Sequence, residues 1–267
     1  MKKVFFSIIM ILAIIALMPL VSYAEVYTDD FNDGIMNTAL WTAAGNYWAR
    51  PSDNYSDDPF TFKEQNGVLN FVSNDPLHIY GGRKKYDSTW TVDFSRDFKF
   101  YAQYNTLSSA ALDGSVEIGL HNAFNNNFEL WSGAYAASGA YVFDATIDEV
   151  DDNGFSYPDS VNAPRDASGV IGISYSKAYD RLDFIGGDDI SDVYASIDNF
   201  TATYGSYPGF ENLHVYLEGD SSFSDYNASF DNFNYQSAVA PEPVSSMLFI
   251  LGGAAFGIKR FKKKSVL

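Results

Sequence analysis

The chain has 267 residues, no Cys, 17 basic and 34 acidic residues, and a formal net charge of −17 at pH 7. The lack of Cys excludes disulfides and thiolate chemistry, and the acidic excess disfavours nucleic acid and anionic membranes as partners. Aromatic residues make up 17% of the chain, so material for a large apolar core is present.

Residues 1–24 follow the pattern of a secretory signal peptide. Lys2 and Lys3 lead an apolar run from Phe5 to Leu17, Pro19 breaks it, and Ser22-Tyr23-Ala24 predicts cleavage after Ala24. The uncharged stretch from Val4 to Val21 is near the lower limit for a span, so an uncleaved anchor is the other reading. Between residues 25 and 240 lie 10 of the 17 basic and 33 of the 34 acidic residues, so this stretch carries about −23. An exported domain without disulfides is held together by its core alone.

The domain, read as residues 25–238, shows almost no helical periodicity. Period-two alternation recurs instead. "STWTVDF" sets Trp90, Val92 and Phe94 on one face. "GSVEIGLH" alternates Val116, Ile118 and Leu120 with Glu117, Gly119 and His121. "ENLHVYLEG" sets Leu213, Val215 and Leu217 against His214, Tyr216 and Glu218. "GVLNFVS", "DFKFYAQY", "NFELW", "GVIGISY" and "RLDFIGG" read the same way, with turn residues between them. About a dozen such strands predict an all-β, antiparallel two-sheet sandwich. The acidic stretch Asp148 to Gly169 reads as a long loop.

Four segments resemble the concanavalin A-like lectin/glucanase superfamily, a jelly roll of two curved sheets. They are "VYTDDFNDGIMNTALW", "EQNGVLNF", "IGISYSKAYDRLDFIGGDD" and "NASFDNFNYQ". The resemblance implies that the third is a hairpin and that the fourth is a closing strand paired with the first.

Three kinds of chemistry have candidate residues in this chain. Jelly-roll glucanases use paired carboxylates, Glu-x-Asp-x-x-Glu, flanking the scissile bond. The nearest string here, Glu149-Val150-Asp151-Asp152-Asn153, lacks the second Glu, and no carboxylate follows Glu117 two or four residues on, where Gly119 and His121 stand. The expectation is therefore no catalysis, with a hydrolase or lyase that uses sequence-distant carboxylates as the alternative. Glu149, Asp151 and Asn153 are spaced as oxygen ligands for Ca²⁺, but the twelfth position is Ser160 and an EF-hand is not predicted. Asp188, Asp189 and Asp192 form another oxygen-rich turn; a solvated acidic turn is the plainer reading of both. For sugar stacking, Tyr47, Trp48 and Tyr55 lie in a polar segment and form a candidate platform, whereas Trp41, Trp90 and Trp131 read as core.

The C-terminus, residues 239–267, carries Pro241-Glu242-Pro243, then 15 uncharged and mostly apolar residues (244–258), then Lys259, Arg260, Lys262, Lys263 and Lys264. A helix of 15 residues covers roughly 22 Å, short of a ~30 Å hydrocarbon core, although snorkelling basic side chains extend its reach. The two prolines keep the preceding peptide extended and accessible. In order and position these parts resemble the PEP-CTERM sorting signal of exported bacterial proteins. The resemblance implies handling by an exosortase-type membrane enzyme and transient anchoring through the tail. It further implies delivery to the cell surface or extracellular matrix (biofilm) of a Gram-negative bacterium that makes exopolysaccharide. The function expected from both ends and the middle is a lectin-like module associating with exopolysaccharide, with a self-associating matrix protein as a further alternative.

Overall fold

The computed structural model describes residues 24–43, 60–73, 82–106, 114–122, 128–137, 140–151, 154–221 and 227–238. Residues 1–23 of the signal segment, the tail from 239 onward, and Tyr47, Trp48 and Tyr55 lie outside the described residues. Among the described residues no helix is long and apolar enough to cross a membrane.

Glu25–Ala238 is one compact unit made of two antiparallel sheets. The first sheet runs β13 (Val193–Asp198), β12 (Arg181–Gly187), β11 (Ser168–Ser176), β6 (Phe98–Thr106), β15 (Ala228–Ser237), β4 (Val68–Ser73) and β3 (Phe60–Gln65). The opening strand β1 (Val26–Asp29) pairs with the closing strand β15, Val26 opposite Gln236, as the resemblance implied. The second sheet runs β10 (Gly154–Pro164), β9 (Ala140–Asp151), β8 (Phe128–Ala137), β7 (Gly114–Asn122), β14 (Leu213–Ser221), β5 (Gly82–Thr91) and β2 (Trp41–Ala43).

The alternation read from sequence decides which side chains lie between the sheets. Val116, Ile118 and Leu120 from β7 meet Leu213, Val215 and Leu217 from β14 in the core, together with Phe71, Phe100, Phe230 and Tyr235 from the other sheet. Trp41 and Trp90 cluster with Phe233, their ring centroids 4.8 and 6.2 Å from it, and the Trp41 indole donates to Asp29 at 2.9 Å. Arg165, just past β10, ties the sheets at one end. Its guanidinium donates to the carbonyls of Tyr135 and Val142 in one sheet and to the Thr106 hydroxyl in the other, at 3.0 to 3.1 Å.

Turn chemistry sets the registers. Asn66 and Gly67, with φ of 60° and 80°, form a two-residue hairpin loop between Gln65 and Val68, the left-handed pair this tight connection requires. The β11–β12 hairpin closes through Asp180, also left-handed at φ 47°. The Asp180 carboxylate then caps a short helix, α1 (Phe200–Tyr204), from a distance. It accepts from the Thr201 and Ala202 backbone N–H groups at 2.9 and 3.1 Å and from the Tyr175 hydroxyl at 2.9 Å. Partial burial opposes ionisation there, but these bonds and the Thr201 hydroxyl prevail and hold the carboxyl down at about 2.

The reading of Asp148 to Gly169 as a long loop is corrected. The chain continues as strand to Asp151, resumes at Gly154, and pairs back along β9 to Val142. β10 is an edge strand, where one side of the ladder needs no partner, so Pro158 and its polar neighbours are tolerated although they read as a loop in the sequence. Pro158 falls at the register shift between Ser156 and Asp159, a position where a missing N–H costs no ladder bond.

Candidate functional site

The face of the seven-stranded sheet turned away from the core carries an unusual density of charge. Strand alternation puts Glu117, Gly119 and His121 of β7 there, because Val116, Ile118 and Leu120 point inward. The pairing registers extend this into rows. Trp131, Gly119, Tyr216 and Asp87 form one row across β8, β7, β14 and β5. Asp144, Gly133, Glu117, Glu218 and Lys85 form the next, across β9 to β5.

Lys85 organises the centre. Its ammonium lies 3.9 Å from the centroid of the Tyr216 ring, 2.9 Å from Glu218 Oε2, and in contact with Glu129 Oε1. Lys85 is 3% exposed and Glu218 is fully buried, so this charge cluster survives only because ammonium, carboxylates and ring compensate one another. Gly119 is what lets the ring lie there: a Cβ at that position would stand 2.6 Å from the Tyr216 ring. Beside it, His121 Nε2 donates to Asp87 Oδ1 at 2.7 Å. Glu117 accepts from the Ser115 hydroxyl at 2.8 Å and the Tyr135 hydroxyl at 2.6 Å.

The electrostatics follow from that density. Burial, then the charge of Glu117, raises the Tyr135 phenol well above its ordinary value. Burial, then the charges of Glu129, Glu117 and Glu218, does the same to Tyr216. Burial also raises Asp144, against hydrogen bonding from Thr146 and Trp131. Glu117, Glu218, Lys85 and His121 form a buried floor, while Glu129, Trp131, Tyr135 and Asp144 are half-buried and line the open side.

The site differs from the candidates read in the sequence. Trp131 is not core: Leu130 takes the inward position and Trp131 faces the carboxylate rows. The signal was present in "NFELW", where Phe128 and Leu130 occupy one face and Glu129 and Trp131 the other. Glu149 and Asp151 belong to the end of β9, and Asn153 lies outside the described residues. In the β12–β13 turn, Asp189 Oδ1 accepts from the Ser191 N–H and hydroxyl, and Asp192 Oδ2 accepts from the Asp189 N–H, all at 2.9 Å. Among the described residues no three acidic or His side chains converge as metal ligands would. What sequence reasoning missed is the assembly itself. Lys85, Glu117, Glu129 and Glu218 come from four strands, and no local motif links them.

No protein-family model matches the chain, and no curated protein matches it. Solved structures do share its fold. A carbohydrate-binding (CBM2) module of the evolved Dit of Lactobacillus casei BL23 phage J-1 superimposes with a TM-score of 0.55 at 17% identity, over 82% of this chain and 98% of that one. The non-specific endo-β-1,3(4)-glucanase SCLam of family GH16 gives 0.55 at 10% identity, over 82% and 93%. Winged bean acidic lectin, solved with methyl-α-D-galactose, gives 0.51 at 11% identity, over 81% and 99%. The fold is therefore the concanavalin A-like jelly roll, a scaffold found in binding modules and hydrolases alike.

Proposed function

We propose that this chain is an exported module that associates with polysaccharide through the polar face of its seven-stranded sheet and catalyses no reaction there. The fold supports association, since carbohydrate-binding modules and lectins share it. The observation that carries the non-catalytic part is Lys85. A glycosidase acid must hold a proton for the leaving group, and an ammonium set between the Glu129 and Glu218 carboxylates opposes protonation of either. Glu117 in turn is engaged by Ser115 and Tyr135. Trp131 supplies the apolar surface on which a sugar ring stacks, and Tyr47, Trp48 and Tyr55 form a second candidate platform. Polysaccharide pull-down by the full chain tests the reading: binding lost in Trp131→Ala supports it, and no binding to any polysaccharide ends it.

Placement at the cell surface or matrix rests on the two ends. We propose removal of the signal after Ala24, sorting by an exosortase-type enzyme acting near Pro241-Glu242-Pro243, and transient anchoring through residues 244–264. Mass spectrometry of the native product is expected to find neither terminus intact; an intact Leu267 in cytoplasmic protein would refute this. One observation favours a hydrolase instead: Glu117 and Glu218 stand directly opposite each other on adjacent strands. A reducing-sugar assay on β-glucans decides, and turnover abolished by Glu117→Gln would establish that alternative.

A further inference from the structure

We propose that the outer face of the eight-stranded sheet carries a second binding groove, one that takes a neutral, hydroxyl-rich sugar. It lies on the opposite side of the sandwich from the face described above, and its test does not depend on that reading.

The core decides which side chains project outward here. Ala228 and Phe230 of β15, Ala102 and Tyr104 of β6, and Ile171 of β11 all point into the core. Ser229 and Asp231, Gln103 and Asn105, and Val170 therefore face the other way. The pairing registers align them in two rows over the middle of the sheet. Ser229, Asn105 and Ser168 stand opposite one another in the first row, and Asp231, Gln103 and Val170 in the second. With Val68 and Asp188 at the two ends, these side chains line a groove of about 350 Å³. That is the lower end of the ~300–1,000 Å³ that ligand clefts span, so a short sugar fits better than a bulky cofactor.

Ser229 carries the inference. It is 4% exposed and lines the groove, yet among the described residues its hydroxyl makes no hydrogen bond within the protein. Its neighbour on β4, Asn70, commits its amide nitrogen to the hairpin carbonyls of Lys63, Gln65 and Val68. Its neighbour on β6, Asn105, makes no side-chain hydrogen bond among the described residues either. Polar groups this buried are normally satisfied, and the groove is the side from which a partner can reach this one.

The lining identifies the class of ligand. Amides and hydroxyls both donate and accept, as sugar hydroxyls do, and Asp188 and Asp231 add acceptors. No Lys, Arg or His stands among the described lining residues, so a uronate or sulfate ester would meet two carboxylates and no counter-charge. Val68 and Val170 offer apolar surface to the C–H face of a sugar ring. An extended peptide is a poor fit, because β15, β6 and β11 are interior strands already paired on both sides.

The test titrates the full chain by calorimetry with four neutral disaccharides (cellobiose, laminaribiose, mannobiose and galactobiose) and with digalacturonate as the charged probe. At least one neutral disaccharide should bind, and digalacturonate should not. Ser229→Ala and Asn105→Ala should each weaken that binding about fivefold, the worth of one hydrogen bond. Both are small changes, one of them at the surface, and either alone keeps the test available if the other fails to fold. Trp131→Ala, on the opposite face, should leave the same binding unchanged. Absence of binding by all four, or binding indifferent to both groove changes, would overturn the proposal and leave the polysaccharide reading to its own test. Binding lost only in Trp131→Ala would likewise overturn it, while supporting that reading. Equal affinity for digalacturonate would overturn the neutral class. Sugar-free self-association in sedimentation velocity, abolished by Asn105→Ala, would make the groove a contact between copies and overturn the proposal as well.

Discussion

At the residue scale, two side chains carry the most checkable physics. Lys85 is buried because Glu129, Glu218 and the Tyr216 ring receive its charge. Lys85→Met keeps the volume but leaves both carboxylates without their ammonium, a loss of about 3–5 kcal/mol. Urea unfolding should show it, and adding Glu129→Gln and Glu218→Gln should restore most of the stability. Glu64 on β3 titrates differently. Burial first, then the neighbouring Asp33 carboxyl and the Asp29 charge, push it from 4.5 up to about 7. Between those values the folded state keeps a proton that the unfolded chain has released. The contribution of Glu64 to stability is therefore full below about 4.5, is lost as pH rises from there to about 7, and stays lost above. Glu64 is partly exposed, so solvent screening limits the effect to on the order of 1 kcal/mol. Thermal melts of Glu64→Gln should lack this decline, and a parallel decline in the variant would show that another group is responsible.

At the element scale, pairing registers decide what meets what. A one-residue slip of β7 would send Glu117 and His121 into the core and Val116 outward. Gly119 is the point where register and site meet, since Tyr216 opposite it lays its ring over the missing side chain. A Cβ there would also stand 2.2 Å from the Leu130 backbone oxygen of β8, so Gly119→Ala should displace that ring and spread the β7–β8 pairing as well, costing about 3 kcal/mol by overpacking. It should weaken polysaccharide binding more than an equally destabilising core change elsewhere, which separates loss of the site from loss of the fold. The tight β3–β4 turn offers a simpler case. Gly67 at φ +80° has open space around a would-be Cβ, so Gly67→Ala reports backbone strain alone, about 1 kcal/mol.

At the scale of the whole molecule, the acidic excess dominates. With about −23 between residues 25 and 240, self-repulsion destabilises the compact state, and added salt screens it. The melting temperature should rise with sodium chloride between low and physiological ionic strength. A flat response would mean that the surface charges are already locally compensated.

Most of the sandwich was legible in the chain. "GSVEIGLH", "ENLHVYLEG" and "GVIGISY" each alternate cleanly, and period-two alternation is a local property that survives any arrangement of partners. The Asn66-Gly67 turn is a hairpin that the reading of "EQNGVLNF" as one segment passed over, although only residues tolerating left-handed backbone fit a two-residue loop. The β9–β10 hairpin was not legible, because Asp152-Asn153-Gly154 and Pro158 are turn and breaker residues, and the register shift between Ser156 and Asp159 interrupts the alternation of Phe155 and Tyr157 with Val161 and Ala163. The site was half legible: the sequence by itself put Glu117 and His121 on one face of β7 and Tyr216 and Glu218 on one face of β14. Only the tertiary structure laid those faces side by side, brought Lys85 across to Glu129, and turned Trp131 out of the core. Long-range strand pairing, which alternation within a strand does not encode, decides which charges become neighbours.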